Sequence, residues 1–128
     1  MLIEEDAGYL ASTGWRHELA VDGGFVCLVI YDYPLPNGYL PQQADLLLRL
    51  PQGFPDAAPD MFWFCPEVSY ADGRMPPNTG DRLPWAGRTW QRWSRHLATA
   101  WRPGIDNLQT YLRLIRTDLT TAVVPRAA

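Results

Sequence analysis

Lysine is absent from the chain, so all eleven basic side chains among its 128 residues are arginines. One interpretation is a GC-rich coding bias, since alanine, proline and glycine are also plentiful. A second interpretation is chemical, because an unprotonated lysine amine is a good nucleophile and would attack an activated acyl group nearby. The sequence leaves both interpretations open, and the second depends on whether the fold points to acyl carriers.

Cysteine is scarce as well, with only Cys27 and Cys65 present, and histidine is limited to His17 and His96. These four residues lack the spacing of metal ligands, so we expect no metal site and no cofactor. Both cysteines lie in apolar stretches, which predicts two buried free thiols in a reducing compartment.

Long apolar runs are missing too, since none approaches the roughly 20 residues that span a bilayer. The first ten residues, "MLIEEDAGYL", have neither a basic start nor a long apolar segment, unlike a signal peptide. We therefore expect a cytoplasmic protein without membrane association. The net charge of −3 argues against binding to nucleic acid or to anionic membranes.

The composition that is present is typical of a globular protein, with 47% apolar and 20% charged residues. The length suits one domain, which we assign to residues 1–128. Within it we expect a core over about 15–119 and a frayed tail over 120–128.

Local patterns predict the elements of the first half of the chain. A short helix is expected over 6–13, with Asp6 as its N-cap and Gly14 as its stop. Apolar segments with β-branched or aromatic residues, bounded by turn residues, predict strands over 25–33, 44–50 and 60–66. The mixed segment over 15–22 could form a further strand that leads into Gly23 and Gly24. The proline-rich stretch over 51–59 can be neither helix nor central strand.

The second half is predicted as a long ordered loop over 67–87 followed by helices. From residue 88 onward, apolar residues recur every three or four positions, which predicts one helical face formed by Trp90, Trp93, Leu97 and Trp101. A last helix is expected over 105–119, with Asp106 and Gln109 as its capping pair. Its apolar stripe comprises Leu108, Leu112, Ile115 and Leu119, with Ile105 and Tyr111 beside it. Strands followed by helices predict an α+β domain with helices on one face of an antiparallel meander.

Three segments in this order resemble the ubiquitin-conjugating (UBC) fold. The unit "LLLRLPQGFPDAAPDMFWFCP" is similar to a strand, a proline-rich flap and a strand of that family, with flap positions filled by Pro51, Phe54, Pro55 and Pro59. The stretch "GGFVCLVIYDY" is similar to its first long strand, and "AWRPGIDNLQTYLRLIRTDL" to the tryptophan-proline turn that opens its long helix. The resemblance implies a UBC-like antiparallel meander with a proline-rich flap, flanked by a short N-terminal helix and a C-terminal helix.

The segment "WQRWSRH" narrows the resemblance to prokaryotic ubiquitin-conjugating-like family E. Members of that branch accompany ubiquitin-like proteins and ThiF-type activating enzymes, which the resemblance therefore implies as partners. Working conjugating enzymes carry a cysteine between the later strands and the tryptophan turn, and it takes the ubiquitin carboxyl group as a thioester. Here no cysteine follows Cys65, and "MPPNTG" is similar to the upstream His-Pro-Asn motif only through Pro77 and Asn78. The resemblance thus implies a pseudoenzyme that binds its partners without forming a thioester.

Two further hypotheses stay open. An active, atypical conjugating enzyme would use Cys65 as its nucleophile, or His96 as an acyl acceptor or general base. A dyad of Ser94 with His96 is not expected, because residues two apart on the predicted helix point about 200° apart. Alternatively, a module unrelated to ubiquitin would bind an acidic partner through the basic face of that helix, unless this face is merely solvated. The candidate binding residues are Arg88, Arg92, Ser94, Arg95 and His96.

Overall fold

The computed structural model describes residues 2–123, which form two helices and eight strands. The helices are α1 (Glu4–Thr13) and α2 (Leu108–Val123). The strands are β1 (His17–Asp22), β2 (Phe25–Pro34), β3 (Tyr39–Leu40), β4 (Gln43–Leu50), β5 (Phe62–Cys65), β6 (Ser69–Tyr70), β7 (Arg82–Trp85) and β8 (Arg88–Trp93). The α+β class and the UBC-like architecture predicted from the sequence are confirmed. Neither helix has the length and apolar character of a bilayer-spanning segment.

Six strands form one antiparallel sheet in the order β1-β2-β4-β5-β8-β7, and β3 pairs with β6 beside it. Side chains alternate between the two faces of each strand, so every second residue points toward α2. This inner face carries the main core, in which Leu28, Ile30, Leu46, Leu48, Phe62, Phe64 and Trp93 pack against the helix. The opposite, outer face holds a smaller apolar cluster of Cys27, Val29, Leu47 and Trp90.

The apolar stripe of α2 is confirmed, because Leu108, Leu112, Ile115 and Leu119 are all buried, as is Tyr111. The predicted start of the helix was wrong, since α2 begins three residues later and Ile105 is 62% exposed. The predicted capping pair was wrong too. Asp106 accepts hydrogen bonds from Arg102, while the cap consists of Asn107 and Thr110, whose side chains bond each other's backbone N–H at 3.1 and 3.2 Å.

The short N-terminal helix is confirmed, and Gly14 ends it with a positive φ of 74°. Asp6 is not its N-cap, because the helix already begins at Glu4. The Asp6 side chain instead reaches α2, where Oδ1 accepts a hydrogen bond of 3.2 Å from the backbone N–H of Leu108. One buried carboxylate therefore joins the two helices.

The helix predicted from residue 88 was wrong, because Arg88–Trp93 is strand β8, paired with β5 on one side and β7 on the other. Positions three apart share a helical face, but they lie on opposite faces of a strand. Trp90 accordingly lies in the outer cluster and Trp93 in the main core. Pairing with two neighbouring strands overrides the local periodicity.

The predicted loop over 67–87 contains two strands, β6 and β7, so that prediction was also wrong in part. The start of the predicted frayed tail belongs to α2, which continues to Val123. The rest of that tail, over 124–128, lies outside the described residues.

Candidate functional site

His96, in the segment between β8 and α2, forms a surface pair with Asp60, which lies between the flap and β5. Nδ1 of His96 lies 3.1 Å from Oδ1 of Asp60, and both side chains are about two-thirds exposed, at 71% and 67%. A shallow groove of about 300 Å³ lies beside them, lined also by Ala58, Pro59, Ala98 and Thr99. With Nδ1 directed at a carboxylate, Nε2 of the imidazole is the nitrogen that can meet a ligand.

The segment over 94–107, which connects β8 to α2, is attached to the proline-rich flap. Nε1 of Trp101 donates a hydrogen bond of 2.8 Å to the carbonyl oxygen of Pro55, and the Gly104 N–H donates to Oδ1 of Asp56 at 2.9 Å. The rings of Trp101 and Phe54 pack with centroids 6.4 Å apart. These contacts hold the flap and the connecting segment together.

The "MPPNTG" segment lies against the first residues after β8. The Ser94 N–H donates a hydrogen bond of 3.0 Å to the carbonyl oxygen of Asn78, and the Arg95 guanidinium donates to that of Pro77. Asn78 has a positive φ of 61°, and the Thr79 hydroxyl closes the turn by donating to the Pro76 carbonyl at 2.7 Å. This turn, whose Pro77 and Asn78 resemble part of the His-Pro-Asn motif, therefore contacts the segment that carries His96.

The three arginines expected to share one helical face are separated. Arg88 and Arg92 lie on the outer face of β8, whereas Arg95 follows the strand. Each has a carboxylate partner: Arg88 pairs with Asp45 at 2.8 Å, Arg95 with Asp118 at 3.0 Å, and Arg92 with Asp81. The predicted basic helical face is absent because residues 88–93 form a strand. In addition, each guanidinium group is paired with an acidic residue from elsewhere in the fold.

The two thiols differ in their surroundings. Cys27 is fully buried in the outer cluster, as predicted, and burial raises the pKa of its thiol. Cys65 is only half-buried, which corrects the expectation for it. Cys65 ends β5, whereas Asp60 lies two residues before the start of that strand, so the whole length of β5, about 10 Å at the usual rise per residue, lies between them. Neither Cys27 nor Cys65 lines the groove beside His96.

Comparison with known families matches residues 2–122 to the family described as prokaryotic E2 family E. The chain belongs to prokaryotic E2 family E. The match confirms the resemblance drawn from the sequence motifs, and membership in family E indicates a bacterial ubiquitin-like conjugation pathway. No curated protein and no solved structure matches the chain.

In this family E chain, the sequence motifs point to His96 but not to its partner. Asp60 lies 36 residues earlier, at the end of the flap, and only folding brings it to the imidazole. The sequence offered one signal for Asp60, namely its position directly after the flap residue Pro59 and just before a predicted strand. No hydrogen bond joins Ser94 to His96 within residues 2–123, although the helical argument against that pair does not apply to a nonhelical segment.

Proposed function

We propose that this family E protein is a binding subunit of a bacterial ubiquitin-like pathway. It engages a ubiquitin-like protein, its ThiF-type activating enzyme, or both, without forming a thioester. One observation carries the proposal: the segment over 94–107, where the resembled enzymes have their nucleophile, has an exposed histidine–aspartate pair and no thiol. Of the two thiols, Cys27 is inaccessible and Cys65 ends a strand on the outer face.

Among the predicted binding residues, His96 and Ser94 are the contact residues that we favour, since both belong to the connecting segment beside the groove. Arg95 has a positioning role, because its guanidinium joins the segment to α2 and to the "MPPNTG" turn. Arg88 and Arg92 lie on the outer sheet face, where a partner that contacts His96 would reach them only by wrapping around the sheet edge.

The adduct assay tests the proposal directly. The purified protein is mixed with the cognate activating enzyme, ATP and the ubiquitin-like protein, and the products are separated with and without reducing agent. We expect no thiol-sensitive adduct on this protein, together with a stable complex on a sizing column. A reducible adduct that disappears in the Cys65→Ser variant would contradict the proposal.

Paired variants test the binding site. We expect His96→Ala and Asp60→Asn to weaken the complex in a pull-down with the same partners. His17→Ala is the matched control, because His17 is also exposed but lies on β1, remote in sequence from the flap. Equal losses in all three variants would exclude a specific contact at His96.

A second candidate function is an active conjugating enzyme that uses His96. The observation that favours it is the orientation of the imidazole, since a proton on Nδ1 shared with Asp60 leaves a lone pair on Nε2. Nε2 would attack the thioester carbonyl of the loaded activating enzyme and form a carbon–nitrogen bond as the carbon–sulfur bond breaks. The Nδ1 proton would pass through Asp60 to solvent, and the released thiolate would take up one proton from solvent. Normal conjugate formation by both Cys65→Ser and His96→Ala would rule out this function.

The hypothesis of a module that binds an acidic partner through Arg88, Arg92 and Arg95 gains no support, because each of these arginines already forms an ion pair with a carboxylate of the same chain.

A further inference from the structure

Two arginines differ from the others of the described chain because they have no carboxylate partner within residues 2–123. The part of the chain that the structure describes contains ten arginines. Eight of them form ion pairs with carboxylates, namely Arg16, Arg49, Arg74, Arg82, Arg88, Arg92, Arg95 and Arg102. Arg113 and Arg116 form none within residues 2–123, and they lie one turn apart on the exposed side of α2.

Both of these arginines line the same groove, which has a volume of about 300 Å³. Its other walls are Tyr9 of α1, Trp15 before β1, and Tyr33 at the end of β2. The rings of Trp15 and Tyr33 meet edge to face with centroids 6.0 Å apart. The groove therefore has an aromatic floor with two guanidinium groups along its edge, and no acidic residue is among its lining residues.

The two guanidinium groups are differently held. Arg116 donates a hydrogen bond to the carbonyl oxygen of Pro34, and its guanidinium carbon lies 5.9 Å from the centre of the Tyr33 ring. These contacts fix the group while leaving most of its five N–H donors unused. Arg113 makes no hydrogen bond to any described residue. The edge thus combines one anchored cation with one that can adjust to a ligand.

We infer that this groove binds a peptide segment of a partner protein in which a carboxylate side chain stands next to a bulky apolar side chain. Guanidinium groups bind carboxylates through paired, charge-assisted hydrogen bonds. The aromatic walls bury the neighbouring apolar side chain. The volume of about 300 Å³ suits about two side chains of such a segment. A nucleic acid is disfavoured because the chain has a net charge of −3.

This site is distinct from the His96–Asp60 groove, which shares no lining residue with it. It also differs from the basic helical face predicted from Arg88, Arg92 and Arg95. Folding neutralises those three arginines and leaves Arg113 and Arg116 available. The inference does not depend on the proposed function. The adduct assay tests the thiols and the His96 segment, whereas the peptide titration tests this groove, so either proposal can fail without the other.

The test is a titration of the full chain with an acetylated and amidated Glu-Phe-Glu-Leu peptide, followed through the indole N–H signal of Trp15 in two-dimensional NMR. We expect this signal to shift on binding. The Gln-Phe-Gln-Leu counterpart should bind about tenfold more weakly or worse, since it lacks the charges that pair with guanidinium. Arg113→Gln and Arg116→Gln should weaken binding to a similar extent.

Arg74→Gln is the matched control, because it removes the same charge from an exposed turn outside the groove. Arg113→Gln keeps the test valid if Arg116→Gln unfolds, since Arg113 has no hydrogen-bond or ion-pair partner within residues 2–123. Equal affinity for the two peptides, or an equal loss in Arg74→Gln, would overturn the inference. Displacement of the acidic peptide by millimolar inorganic phosphate would also overturn it, because the groove would then be a general anion site.

Discussion

The side-chain amide of Gln91 pairs with the backbone of Val68 in the way that a neighbouring strand would. Oε1 accepts a hydrogen bond of 2.8 Å from the Val68 N–H, and Nε2 donates one of 3.0 Å to the Val68 carbonyl. Oε1 also accepts from Nε1 of Trp93 at 2.9 Å. Gln91, Val68 and Trp93 are all buried, so one amide fixes the end of β8 from which the His96 segment departs.

Replacing Gln91 by leucine should destabilise the fold strongly. The substitution leaves three buried polar groups without partners, and each such group costs about 1–3 kcal/mol. We expect the free energy of unfolding in urea to fall by about 3 kcal/mol or more. Thr89→Ala, an exposed change on the same strand, should stay within about 0.5 kcal/mol of the parent. An unchanged urea midpoint for Gln91→Leu would contradict the assigned hydrogen bonds.

Removing the His96–Asp60 contact should leave stability nearly unchanged. Both side chains are about two-thirds exposed, and exposed pairs of this kind contribute about 0–1 kcal/mol. We expect His96→Ala and Asp60→Asn to unfold in urea within about 1 kcal/mol of the parent. A loss of partner binding in these variants is then a local effect, whereas a larger drop in stability would assign the pair a structural role.

Asp6 should make stability depend on pH in a defined direction. Burial, with the nearby charge of Glu5, raises the pKa of Asp6 above its ordinary value of 3.8 despite the hydrogen bond from Leu108. The folded state therefore binds this proton more tightly than the unfolded state. The resulting stabilisation is complete below pH 3.8 and is lost as the pH rises through the folded-state pKa.

Comparison with Asp6→Asn isolates this contribution, since the asparagine oxygen can still accept from the Leu108 N–H. We expect the difference in unfolding free energy, parent minus variant, to decrease as the pH rises from 3.8 and then to become constant. Parallel curves for the two proteins between pH 3 and pH 8 would show that the carboxylate titrates normally.

The two thiols should react at very different rates with a maleimide reagent. Cys27 is fully buried, so its labelling requires unfolding, whereas Cys65 is half-buried at a strand end. We expect one fast equivalent in the native protein and none in Cys65→Ser until urea is added. Fast labelling of Cys65→Ser would mean that the outer cluster opens without global unfolding.

Several features could be predicted from the sequence because neighbouring residues encode them. The β-branched, aromatic and other apolar residues of β2 and β4, the prolines of the flap and the stripe from Leu108 to Leu119 are local signals of strand, turn and helix. The lack of a thiol after Cys65 is likewise a property of the sequence, and family E membership follows from motifs in their order. These signals determined the α+β fold class and the family assignment.

Tertiary structure alone decided what happens between residues 88 and 96. Steps of three and four fit a helix, but β8 gains hydrogen bonds to two strands, which sends Trp90 and Trp93 to opposite faces of the sheet. The ion-pair partners of Arg88 and Arg92 come from 43 and 11 residues away, and Asp60 reaches His96 across 36. Such contacts are set by the packing of the whole chain. A local pattern therefore cannot reveal which charges are neutralised and which, like those of Arg113 and Arg116, have no ion-pair partner among residues 2–123.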